Sequence, residues 1–160
     1  MLKQTLVCTA LIASIFGSPI IASAAEYGTA EEAKTMLDRA IAVIKADKPG
    51  AIAMFNHNDS RFRDRDLFVF CFNGQDGKFT AHEAMVAQDV RTLRDKTGRP
   101  FGEQMYLKPK EGQIATIAYM SPVPGSTEQA SRRAYVTRIA DQVCGVSFYR
   151  FNGPGEQPTE

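Results

Sequence analysis

The spacing of apolar residues changes several times along this chain, and each change marks an element. Residues 6–15 are almost wholly apolar, follow Lys3, and are succeeded by Gly17, Pro19 and then Ala22, Ser23 and Ala24. A basic start, a short apolar run and a small-x-small close are what a signal peptidase recognises. Residues 1–25 are therefore expected to be a cleaved secretory leader, cut after Ala24 or Ala25. A membrane anchor would need a longer uninterrupted run with stop-transfer charges behind it. Cys8 stands too early, and without the preceding small residues, to be a lipid-attachment site.

Over residues 29–46 the period becomes helical. Ala33, Met36, Leu37, Ala40 and Ile44 recur on one face, and Thr29 with Glu32 makes a capping box at the start. Asp47 can cap a second, shorter helix with Pro49 in its first turn, burying Ile52 and Phe55 and ending at His57-Asn58-Asp59. From Leu67 the run Leu-Phe-Val-Phe-Cys-Phe is continuous, which predicts a central strand over Leu67–Asn73 covered on both faces. Asn73-Gly74-Gln75-Asp76-Gly77 is a turn, and residues 78–82 return as the second arm of a hairpin. Residues 83–110 carry no clean period but contain the turn Thr97-Gly98-Arg99-Pro100, so they are read as a long crossover with one or two short helices. Strands are predicted at residues 113–120, 131–139 and 143–150, joined by the loop 121–126 and a turn at Asp141, as an antiparallel meander. The tail 152–160 is rich in Gly and Pro, lacks apolar residues and is expected to be disordered.

About 135 residues remain once the leader is gone, enough for one domain and too few for two. Residues 26–151 are taken as that single domain, of the α+β class. The chain has 19 Lys and Arg against 18 Asp and Glu, and loss of Lys3 makes the two signs equal. That balance argues against a nucleic-acid partner or a polybasic membrane surface, and no membrane span is expected after processing. Cys71 and Cys144 survive in a compartment that permits disulfides. Both lie in apolar strand runs; they are either two small buried hydrophobes or, if their strands are neighbours, a bridge.

The order helix, hairpin, crossover, three strands is that of a PAS-like sheet, and the residues themselves resemble the single Cache domain, an extracytoplasmic ligand-sensing module of bacterial chemoreceptors and sensor kinases. The resemblance runs through Phe68-Val69-Phe70, the Asp76-Gly77 turn, and Ala81-His82, where Glu83 stands in place of the family's usual proline. It continues in Leu93-Arg94-Asp95-Lys96-Thr97-Gly98-Arg99-Pro100-Phe101, similar to the family's Leu-x-Asp-x-x-Gly-x-Pro-Phe, and in Tyr119 followed by Pro122. Arg132-x-Ala134-Tyr135-Val136 and Gly145-Val146-Ser147-Phe148-Tyr149 complete it. It implies a five-stranded antiparallel sheet with a long N-terminal helix on one face. The resemblance also implies a small-ligand pocket between the other face and the crossover, in the family mostly for small organic acids and other metabolites. Receptors of this kind continue from the last strand into a transmembrane helix, whereas this chain stops, so any membrane sensor that it serves is expected to be a separate protein.

The remaining residues offer little chemistry of another kind. His57 and His82 are the only imidazoles, and two strand cysteines do not complete a zinc site. Aligning the 73–77 loop with a calcium loop places Phe72 or Val69 where an aspartate belongs. No Gly-x-Ser-x-Gly elbow occurs, Gly145-Val146-Ser147 sits within a strand, and the apolar flanks of Cys71 and Cys144 disfavour a thiolate. No cofactor, metal or catalytic constellation is expected, and the chain is read as a binding module.

The candidate ligand-binding residues are Phe70, His82, Tyr119, Arg132, Arg133 and Tyr135. His82 follows the second strand and can donate to a carboxylate; Tyr119 and Tyr135 combine a ring with a hydroxyl. Arg132 and Arg133 point to opposite faces of one strand. The polar face of Arg133, Tyr135 and Thr137 is the better anion candidate by composition, while Arg132 matches the basic position of the family. Two functional readings follow: a periplasmic or secreted sensory module that binds a small metabolite and presents it to a membrane sensor, or a pocketless interaction module. A cavity under the crossover would favour the first. A crossover packed solid by Met85, Val90, Leu93 and Phe101 would favour the second.

Overall fold

Thr29 opens the first helix as its sequence requires: its hydroxyl accepts from the Glu32 amide at 3.2 Å, and the Glu32 carboxylate accepts from the Thr29 amide at 2.7 Å. The structure is a computed structural model and describes residues 27–151. The leader and the tail expected at 1–25 and 152–160 lie outside the described residues. Helix α1 (Ala30–Ala46) buries Ala33, Met36, Leu37, Ala40 and Ile44, the stripe its period predicts. Asp47 caps α2 (Lys48–Asn56), with Pro49 in the first turn and His57 at its end. Ala51 and Phe55 are its buried residues, and Ile52 is half-buried.

The strands are β1 (Arg63–Asp64), β2 (Leu67–Asn73), β3 (Phe79–Ala81), β4 (Ala115–Pro122), β5 (Gln129–Ile139) and β6 (Gln142–Arg150). Their order is β1-β2-β6-β5-β4, every pairing is antiparallel, and β3 also pairs with β2. The five predicted strands thus form, with β2 central, and two-residue β1 is an addition. β4 runs two residues further than expected, to Pro122. An edge strand tolerates this, since a proline nitrogen turned away from the ladder leaves no bond unmade.

Both faces of the sheet are covered. Leu67, Val69, Cys71, Cys144, Val146 and Phe148 join α1 and α2 in one core. Phe70, Phe72, Phe79, Ile117, Ala134, Val136 and Val143 form a second core under the crossover. Between β2 and β6, Cys71 and Cys144 are register partners with Cα atoms 4.1 Å apart, and they are disulfide-bonded. The bridge therefore ties the two middle strands on the helical face.

At β3 the register shifts by one residue, with Cys71 opposite Ala81 but Phe72 opposite Phe79. Such a bulge turns the following residues to the other face. Phe79 accordingly packs under the crossover while Ala81 packs beneath the helices. Among the described residues no helix is long and apolar enough to cross a membrane.

Candidate functional site

The crossover contains a 3-10 turn, Val90–Thr92, and helix α3 (Phe101–Leu107). One feature ties its parts to each other and a second holds it on the sheet. Gly102 packs so close to the 3-10 turn that a β-carbon there would lie 1.8 Å from the Val90 carbonyl oxygen, and its amide donates to the Leu93 carbonyl at 3.2 Å. Asp95, 8% exposed, accepts through Oδ1 from the Thr97 amide at 2.9 Å, the Thr97 hydroxyl at 2.6 Å and the Arg99 amide at 3.1 Å. Its Oδ2 accepts from the Met120 amide of β4 at 3.1 Å. These bonds hold the Asp95 carboxyl down at about 2, with the Thr97 hydroxyl the largest influence.

Beneath this strap lies a cavity of about 240 Å³. Phe68 and Phe70 of β2, Phe79 of β3, Tyr119 and Ser121 of β4, Arg132 of β5 and Ser147 of β6 form its floor; His82 adjoins β3, and Met85, Leu93, Phe101 and Met105 come from the crossover. Phe70 gains its place because β6 carries Gly145 opposite, where a β-carbon would stand 2.6 Å from the Phe70 ring. Phe101 stacks on Tyr119 with centroids 4.3 Å apart and planes 7° from parallel. The Tyr119 hydroxyl donates to Ser147 Oγ at 3.0 Å, and burial pushes its phenol up, so it stays neutral.

The polar groups gather at one end. The Arg132 guanidinium lies 4.6 Å from the Tyr149 ring centroid and 6.0 Å from that of Phe68, and its Nη2 donates to the Asp66 carbonyl at 3.1 Å. Arg132 Nε is buried with no hydrogen-bond partner among the described residues. His82 also packs against Phe68, with centroids 5.2 Å apart. Its Nδ1 accepts from the Ala84 amide at 3.0 Å, which leaves the proton on Nε2. Burial pushes the imidazole down to about 4, helped by the Arg132 charge and opposed by Glu83. His82 is thus a neutral donor at physiological pH. Ser121 reaches the same end through Tyr149, whose hydroxyl donates to the Pro122 carbonyl.

Of the residues singled out from sequence, the structure brings Phe70, His82, Tyr119 and Arg132 together and places Arg133 and Tyr135 elsewhere. On β5, Arg132, Ala134 and Val136 face the crossover, while Tyr135 packs on the helical side, 5.0 Å from Phe148. With both faces covered, composition could not tell them apart; the register with β6 does. Phe68, Phe79, Ser121, Ser147 and Met105 were not singled out. Phe68 was within reach, because it alternates with Phe70 and Phe72.

No family model and no curated protein sequence matches the chain. Solved structures do. One is a Cache chemosensory domain described for its carboxylic acid recognition, with a TM-score of 0.52 and 16% identity over 74% of this chain and 86% of that one. Another is the periplasmic sensor domain of a chemotaxis protein, with a TM-score of 0.52 and 16% identity over 74% of this chain and 88% of that one. The described residues 27–151 have the fold of the Cache sensor domains.

Proposed function

We propose that this chain is a secreted, periplasmic sensory module that binds a small organic acid beneath its crossover and acts with a separate membrane sensor. The observation that carries the reading is Arg132. Arg132 lines a mostly apolar cavity and holds a buried donor, Nε, without a partner among the described residues, and the same lining includes a neutral histidine whose Nε2 is a further donor. A buried donor without a partner is costly, and a carboxylate that meets it relieves that cost through a charge-assisted bond. The neighbouring fold described for carboxylic acid recognition supports the same ligand class. Export is supported by the leader-like N-terminus and by the bridge between Cys71 and Cys144. A crossover lifted off the sheet by a cavity, rather than packed solid, favours ligand binding over a pocketless interaction module.

The test is a thermal-shift screen against small organic acids, followed by calorimetry with the best hit. Arg132→Ala should weaken binding by about 2–5 kcal/mol, since the ligand carboxylate then stays buried without its partner. Arg133→Ala, on the opposite face, should bind as the parent does. An Arg132→Ala protein that keeps full affinity, or a parent that binds no organic acid, would overturn the reading.

A further inference from the structure

Resting on that reading, we infer that the ligand is a monocarboxylate with a branched or aromatic apolar body, selected against both amino acids and dicarboxylates. The argument is an inventory of what the cavity offers each part of such a molecule. Among the described residues, Arg132 is the one cationic side chain in the lining, and none of the lining residues is acidic. A second carboxylate would therefore enter without a counter-charge, and an α-ammonium would enter without an anion; either burial is strongly unfavourable. The other hydroxyls cannot substitute. Tyr119 donates to Ser147, and Ser121 is within reach of the Tyr149 hydroxyl at 3.5 Å; all are neutral and supply no counter-charge to an ion.

Arg132, the cation, and His82, a neutral donor, both adjoin one ring, Phe68, so they make a single anion-binding pole. Away from that pole the walls are Phe70, Phe79, Leu93, Phe101 and Met105. Such a lining returns free energy only for apolar surface, so a two-carbon acid would leave most of it uncovered. The size agrees: about 240 Å³ is the liquid volume of roughly eight waters. An acid of about eight to ten non-hydrogen atoms fills that space, with its carboxylate on Arg132 and its body against the rings.

Calorimetry on the full chain with four matched probes decides it. 4-Methylpentanoate supplies one carboxylate and a branched body. Leucine adds only an α-ammonium to that skeleton, 2-methylglutarate replaces one terminal methyl by a second carboxylate, and acetate lacks the body. 4-Methylpentanoate should bind about 30- to 300-fold more tightly than acetate. It should also bind at least about tenfold more tightly than leucine or 2-methylglutarate. Leucine, 2-methylglutarate or acetate binding as well as 4-methylpentanoate, with the affinity still lost in Arg132→Ala, would overturn the selectivity and leave the organic-acid reading standing. Binding of none of the four, with no hit in the wider acid screen, would overturn both.

Discussion

Asp95→Asn isolates the contact that ties the crossover to β4. The asparagine keeps one carbonyl oxygen for the three donors from Thr97 and Arg99, but puts an NH₂ where Oδ2 accepts the Met120 amide. Two donors then face each other on the outward edge of β4, and the charge assistance to all four bonds is gone. Loss of one charge-assisted bond, with an amide left poorly satisfied, costs about 2–3 kcal/mol. Titration supplies a second route to the magnitude. A carboxyl that ionises at 3.8 in the unfolded chain and at about 2 in the folded one contributes on the order of 2 kcal/mol above pH 4. That contribution is present above the unfolded value and is lost as pH falls from about 4 towards 2, because the unfolded state takes up the proton first. Urea unfolding at pH 7 should therefore show Asp95→Asn less stable by about 2–3 kcal/mol. Between pH 4 and 2 the gap to the parent should narrow. Met120 lies between Tyr119 and Ser121 of the cavity floor, so ligand affinity should fall as well. A variant within about 0.5 kcal/mol of the parent, or one whose gap persists unchanged at pH 2, would refute the clasp.

Two further outcomes follow from the core and the pocket. Replacing Cys71 and Cys144 together by alanine opens a bridge across a sequence separation of 73, and denaturant unfolding should report a loss of about 2–5 kcal/mol; a double variant as stable as the parent would show that the bridge contributes nothing. His82, held at about 4 against an ordinary 6.5, is protonated first in the unfolded chain, so its contribution to stability is full above pH 6.5 and declines as pH falls towards 4. Its ring resonances should titrate with a midpoint near 4 while ligand affinity stays level from about pH 5.5 to 8; a midpoint at 6.5 would remove the neutral-donor role.

What lay within the sequence was whatever depends on local spacing. The capping box of Thr29 and Glu32, the buried stripe of α1, the Asp47 cap and the two-faced burial of Leu67–Asn73 are all set by residues within a turn or two of each other. Local hydrogen bonds and periodic burial decide them before any distant segment arrives. The site is different in kind. Its two proposed anion-binding groups come from β5 and the end of β3 and meet only at the Phe68 ring. The Cys71 and Cys144 bridge needs β2 and β6 in register. Alternation along β5 separates Arg132 from Arg133 but does not say which of the two faces the crossover. That choice belongs to the pairing with β6, which sends Tyr135 towards Phe148 and Arg132 towards Tyr149. His82 and Phe79, three residues apart, reach one cavity because a one-residue bulge at β3 reverses the alternation. A strand's period is local, but its register and its face are settled only when the partner strand and the layers above and below are in place.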